Sequence, residues 1–337
     1  MKKWIWLVVV FAIALLLVGG KYILEKPPQP LDTIRVEIPQ QKPYAAVSSP
    51  VVSSERLLAH IQNLNFQRYS DGELERTRNY ITTELRKFGW TPKLERFAEG
   101  VNIVAERLGT DKQAGTILVG AHYDSVFESP GADDNASGVA VVLEVARLLR
   151  TEATSRTLKL VLFDKEEAGL LGSRAFAAKK THLKDLQGAI IMDMVSYACY
   201  TPGCQKYPTG LPITPPSDKG DFLAVVGDTE HLPLLNSFGQ NVRSPQLPAV
   251  LTVPIPLKGL LTPDTLRSDH APFWYQGVGA VLVTDTANLR TPHYHKPSDI
   301  PKNIDRNFFT GAAQIIINTT KKLLESSDSL NTPKVNM

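Results

Sequence analysis

The chain has 337 residues, 43% of them hydrophobic and 21% charged, enough to bury one large core or two small ones. Its formal charge of +3 is spread thinly along that length and forms no basic stripe, which argues against nucleic acid as a partner. Nothing in the composition sets an oligomeric state.

Lys2 and Lys3 precede an uncharged apolar run from Trp4 to Gly20, followed by Lys21. As a helix rising about 1.5 Å per residue, such a run spans roughly 25 Å, just short of a ~30 Å hydrocarbon core unless its flanks contribute. Residues 1–24 are therefore expected to form a membrane anchor or a signal peptide, Val18-Gly19-Gly20 offering a cleavage site for the second reading. The lysines favour an inside N-terminus, so an uncleaved anchor leaves the rest of the chain on the extracytoplasmic side of the membrane, and cleavage secretes it. Residues 25–47 carry Pro27, Pro28, Pro30, Pro39 and Pro43 and read as a semi-rigid linker. One domain is expected over residues 48–325, with a polar, frayed tail at 326–337.

Within the domain, helical and strand patterns alternate. Asp71 to Phe88 has helical periodicity, and Gly89 is placed to stop it. Strand-like runs follow at Asn102 to Arg107, Thr116 to Ala121, Leu158 to Phe163, Ala189 to Met194, Phe222 to Val226 and Ala280 to Val283. Helices are expected between several of these, at Ser137 to Leu149, Leu171 to Lys180 and Asn307 to Leu324. Near-continuous Val, Ile and Leu in such strands predicts an α/β fold of three layers, α/β/α, around a mixed and mostly parallel central sheet.

Polar motifs sit where these strands end. His122 and Asp124 follow the first run, two residues apart and hence on one face of extended chain, so Asp124 is placed to orient the imidazole. Asp133 and Asp134 stand just before an apolar helix, where one carboxylate can cap the helix while its neighbour bridges two ions. Glu166 and Glu167 follow the strand ending at Phe163, and Asp193 ends Ile190-Ile191-Met192. Adjacent glutamates in apolar surroundings repel unless one is neutralised by metal and the other shares a proton with water, the division of labour that metal-assisted hydrolysis requires. A late histidine comes from Tyr294-His295-Lys296-Pro297-Ser298-Asp299. Two His, two Asp and one Glu form a nitrogen and oxygen donor set suited to zinc. Because open α/β sheets bind ligands beyond the carboxyl ends of their strands, these motifs are expected to converge on one rim. Cys199 and Cys204 flank Tyr-Thr-Pro-Gly, turn chemistry that allows a small disulfide loop in an exported domain; two free thiols are the alternative.

Taken together, Gly120-Ala121-His122-Tyr123-Asp124-Ser125, Pro130-Gly131-Ala132-Asp133-Asp134-Asn135-Ala136-Ser137-Gly138, Phe163-Asp164-Lys165-Glu166-Glu167-Ala168-Gly169, Met192-Asp193-Met194 and Tyr294-His295-Lys296-Pro297-Ser298-Asp299 resemble the co-catalytic di-zinc aminopeptidases. Those belong to a zinc-exopeptidase superfamily (phosphorylase/hydrolase-like fold) that also includes aminopeptidase Y, glutamate carboxypeptidase and glutaminyl cyclase. The resemblance covers roughly Ser48 to Glu325. It implies two Zn2+ ions, with Asp134 bridging them, Glu167 and His295 completing one site, and His122 and Asp193 the other. It further implies Glu166 as general base and acid, peptides as substrates, and one metal receiving the free α-amino group. Tyr294 could donate to the oxyanion or pack at the rim. His293 competes with His295 on spacing, and the motif favours His295. Asp299 is expected to orient His295, and His270 of Ser268-Asp269-His270 is expected to be structural. A glutaminyl cyclase-like acyltransferase and a non-catalytic binding ectodomain are the alternative readings; the complete ligand set argues against both.

Overall fold

The computed structural model describes residues 50–239 and 247–333; the expected anchor and linker, and residues 334–337 of the tail, lie outside them. Among the described residues no helix is long and apolar enough to cross a membrane.

Eight strands form one sheet: β1 (Lys93–Arg96), β2 (Val101–Arg107), β3 (Thr116–His122), β4 (Thr157–Phe163), β5 (Leu186–Met192), β6 (Phe222–Asp228), β7 (Ala249–Ile255) and β8 (Ala280–Thr284). Their order across the sheet is β1-β2-β4-β3-β5-β8-β6-β7. The central run β4-β3-β5-β8 is parallel, β1, β2 and β4 pair antiparallel, and β6 is antiparallel to β8 while parallel to β7. The expected three-layer α/β/α architecture is the observed one.

Period-two alternation divides the core. Ile117, Val119 and Ala121 of β3, with Leu158, Leu160 and Leu162 of β4, face one helical layer, whereas Leu118, Val161 and Phe163 face the other. The first layer holds α1 (Ser54–Asn63), α2 (Asp71–Lys87), α3 (Ala136–Leu148), α6 (Leu232–Gly239) and α8 (Arg306–Glu325). The second holds α4 (Leu171–Ala177) and α7 (Ala271–Tyr275); the short α5 (Lys180–Leu183) lies between α4 and β5 in the chain. Helix starts follow local chemistry: Ser70 and Glu73 form a capping box on α2, Asn135 accepts the Gly138 amide of α3, and Asp305 accepts the Phe308 amide of α8. Helix α3 is buried on every side from Ala136 to Ala146, in keeping with its nearly uninterrupted small and apolar sequence.

Four elements go beyond those expected from the sequence. Strand β1 is a charged, mostly exposed edge, and β7 contains Pro254, which is tolerated because β7 is the opposite edge. The short helices α1 and α6 are held by tertiary packing, and α6 has Pro233 in its first turn. The expected helix from Leu171 to Lys180 breaks after Ala177 and restarts at Lys180. Residues 326–333 do not fray as expected: Leu330 is buried, and Thr332 bonds the Glu230 carbonyl and the Leu232 amide. Cys199 and Cys204 are joined as a disulfide, and Cys199 pairs with Gly220 in an isolated bridge that closes the base of the intervening segment.

Candidate metal centre

The loops beyond β3, β4 and β5 meet at one rim of the sheet, joined there by the segment that carries His295. Each is shaped by backbone geometry that the sequence supplies locally. Gly131 is left-handed (φ 61°) and lies so close to the next turn that an added Cβ would sit 2.1 Å from the Asp134 carbonyl oxygen. Gly169 (φ 105°) turns the chain after Glu167, and its amide donates to the Glu166 carbonyl. Three non-glycine residues beside or at candidate ligands are also left-handed: Lys165 (φ 57°), Met194 (φ 55°) and His295 (φ 58°). Backbone strain of this kind concentrates at functional sites, where surrounding contacts over-determine it.

Two donor groups result. His122 Nε2 lies 3.4 Å from Asp134 Oδ1 and 3.5 Å from Asp193 Oδ1; His295 Nε2 lies 3.2 Å from Asp134 Oδ2 and 3.1 Å from Glu167 Oε2. In each group the donor atoms all fall within 4.8 Å of one another, and Asp134 gives one oxygen to each. Tetrahedral zinc with bonds of about 2.0–2.2 Å needs donors roughly 3.4 Å apart, so the spacings fit. Glu167 Oε1 is buried without a hydrogen-bond partner, an orphaned acceptor that a bound cation would satisfy. The fit extends to charge. Burial disfavours protonated imidazole, yet the surrounding carboxylates hold His122 well above its ordinary range and push His295 up to about 10. Burial likewise raises Asp134, but the two imidazoles outweigh it and hold its carboxyl below the usual range. Burial and the Asp134 charge push Glu167 up to about 7. Acids outnumber bases in a site screened from water, a deficit that divalent cations would fill.

Glu166 stands beside these groups without joining either, its Oε2 3.9 Å from His122 Nε2. Burial drives its carboxyl well above the usual carboxylate range. Asp124 does more than orient His122, whose Nδ1 is 3.4 Å from its Oδ1: its two oxygens accept the amides of Glu166 (3.0 Å) and Glu167 (3.1 Å), tying the β3 and β4 loops together. Asp299 does not take the role expected of it beside His295. Its oxygens accept the amides of Asp133 (2.9 Å) and Asp134 (3.0 Å), because the turn after His295 carries it back to the loop that precedes α3. Asp133 accepts from the Ser196 amide and hydroxyl and leaves the capping of α3 to Asn135. His293 bonds Ser298 and stands edge-on to Tyr197, outside both donor groups, whereas His295 belongs to one of them. His270 is buried and bonded to the Thr265 carbonyl, a structural place. Tyr294 stacks on His295 with ring centroids 3.7 Å apart, and its hydroxyl oxygen is 3.1 Å from Arg267 Nη2.

Arg68 is the residue that motif reading missed. Fully buried, it donates to the carbonyls of Leu64, Phe66, Tyr123, Pro130, Gly131 and Asp134, lashing the loop that presents the shared carboxylate. Its partners are backbone atoms mostly distant in sequence, so no side-chain pattern advertises it.

A cavity of about 490 Å³ opens beside the two groups. Alternate residues Phe222, Ala224 and Val226 of β6, Leu251 and Val253 of β7, and Leu282 and Thr284 of β8 line it from one sheet face. The segments from Gln205 to Leu211 and from Asp264 to Ser268 contribute to its walls.

Comparison with known proteins gives a consistent result. Residues 102–320 match the sequence model of peptidase family M28. Uncharacterized protein YfbL of Escherichia coli (strain K12) is 34% identical over 228 residues, 64% of this chain and 68% of that protein. Aminopeptidase YwaD of Bacillus subtilis (strain 168) is 41% identical over 86 residues, 25% of this chain but only 19% of that protein. The solved aminopeptidase from Aneurinibacillus sp. strain AM-1 superposes with a TM-score of 0.63 at 17% identity, covering 84% of this chain and 97% of that one, a likeness of fold.

Proposed function

The chain belongs to peptidase family M28, and from that premise we propose that it is an aminopeptidase that holds two zinc ions and uses Glu166 as its general base. The observation that carries this reading is the pair of donor groups sharing Asp134, with a buried glutamate beside them that joins neither. His122 and Asp193 would hold one ion, Glu167 and His295 the other. When bound, the ions supply a water of near-neutral acidity and a Lewis-acid hold on the scissile carbonyl.

The chain's own groups do the rest. Glu166, raised by burial, takes a proton from the attacking water and later delivers it to the leaving amine. The Tyr294 hydroxyl, kept protonated by burial, accepts a hydrogen bond from Arg267 and so has its own proton free to donate to the developing oxyanion. Asp124 and Asp299 fix the loops that carry Glu166, Glu167 and Asp134, which limits the rearrangement needed as charge develops. An extracytoplasmic setting, anchored or secreted, is part of the proposal; the apolar run behind Lys2 and Lys3 and the Cys199–Cys204 disulfide support it.

The test is elemental analysis joined to turnover of an aminoacyl anilide. The purified chain is expected to carry two zinc atoms, to lose activity to a chelator and to regain it with zinc. Glu166→Gln should keep the zinc and lose roughly 10²- to 10⁴-fold in kcat. Near-normal turnover in that variant would refute the role. Cyclisation of glutaminyl peptides without anilide hydrolysis, with one zinc per chain, would favour the cyclase alternative instead.

A further inference from the structure

The cavity beside the metal centre is electrically divided. Its acids are the carboxylates of the two donor groups, Glu166, and Asp264 in the wall. Its cations are Arg174, Lys206 and Arg267, none of which forms an ion pair among the described residues. Unpaired cations in a cavity wall contribute little to stability, since surface charges of this kind are worth little even when paired. They do raise the local preference for a ligand group of opposite sign.

Arg267 is the best placed of the three. Its Nη2 is 3.1 Å from the Tyr294 hydroxyl and its Nη1 is 3.2 Å from Asn288 Oδ1, so the guanidinium is held in the wall by two polar contacts. A guanidinium has five N–H donors in a fixed fork, which leaves donors available to a carboxylate. Tyr294 in turn stacks directly on His295, so the guanidinium stands one aromatic ring beyond the donor group of His295, Asp134 and Glu167. Two extended residues span about 7 Å. A short zwitterionic peptide therefore matches the cavity at both ends, its ammonium at the acids and its carboxylate at Arg267, with its first side chain against the apolar face of β6 and β7.

Resting on the aminopeptidase reading above, we infer that Arg267 binds the free C-terminal carboxylate of the substrate, and that the chain prefers di- and tripeptides over longer or C-terminally blocked ones. Arg174 and Lys206, also in the wall, add attraction of the same sign.

The experiment compares the zinc-loaded enzyme on Leu-Gly, Leu-Gly amide and leucine anilide. Wild type is expected to favour the free dipeptide over its amide by at least tenfold in kcat/KM, chiefly through KM. In Arg267→Ala that ratio should collapse to about one, and Arg267→Lys should restore part of it. Any loss through the Tyr294 contact lowers all three substrates together and cancels in the ratio. Equal kcat/KM for dipeptide and amide in the wild type would overturn the inference, as would an Arg267→Ala variant that keeps the wild-type ratio. Failure of all three substrates with zinc bound would instead overturn the aminopeptidase reading, and this inference with it.

Discussion

Two buried arginines, at opposite ends of β3 and β4, show what separates the working rim of the sheet from its floor. At the floor, Arg156 precedes β4 and donates to the carbonyls of Ala114, Leu323 and Asp328, joining the starts of β3 and β4 to the end of α8 and the segment after it. At the rim, Arg68 does the same service for the loops after β3. Neither forms an ion pair among the described residues, and burial lowers the pKa of both. The difference lies in what surrounds them. Asp299, Asp134, Asp124 and Glu167 all act on Arg68 electrostatically, whereas Arg156 has Asp328 alone. One arginine is therefore part of the charge balance of the metal centre, and the other is a structural pin.

That contrast can be broken by experiment. Arg68→Met leaves several buried carbonyls unpaired and should cost on the order of 4 kcal/mol in urea unfolding. It should also weaken zinc binding by roughly 10- to 100-fold, as read by competition with a chromogenic chelator, because the Asp134 loop loses its tether. Arg156→Met should cost roughly 2 kcal/mol, a fall of about 5 °C in Tm, while kcat/KM per folded molecule stays at the wild-type value. If both variants lose zinc equally, the rim and the floor are not distinct.

The smallest effect lies in the helical layer, at a residue that belongs to neither donor group. His60 is buried between α1 and α2 with its Nδ1 2.7 Å from the Tyr80 hydroxyl, and burial lowers its pKa from 6.5. The unfolded chain then binds this proton more readily than the folded one. The stability contributed by the neutral ring is present above about pH 6.5 and is lost as pH falls towards the depressed folded value. His60→Phe should flatten that part of the stability curve by about 1 kcal/mol or less and leave zinc content alone. An unchanged acid slope would show that His60 does not resist protonation.

Much of the candidate site was legible because its donors sit in short motifs, three of them (His122, Glu167 and Asp193) at or just beyond strand ends, where the sheet itself brings separate motifs together. Strand ends and residue types pointed to the carboxylates and imidazoles as a set, and the family resemblance chose Asp134 over Asp133, Glu167 over Glu166 and His295 over His293. What escaped depends on where distant backbone arrives. Asp299 is four residues beyond His295 in sequence, yet it serves amides more than 160 positions away in the chain. Arg68 binds carbonyls, which every residue has, and so leaves no trace in composition. Edge strand β1 is short and charged and lacks the apolar run that marked the central strands, and in β7 Pro254 interrupts that run.

The cavity floor has a consequence for how such a protein diverges. It is built from β6, β7 and β8 and from the segments beside them, whereas all but one of the candidate donor carboxylates and imidazoles hang from β3, β4 and β5. On the proposed reading, selectivity and chemistry thus occupy largely separate stretches of one gene. Mutational drift in the former need not disturb the latter, so relatives with the same reaction centre are free to acquire different diets.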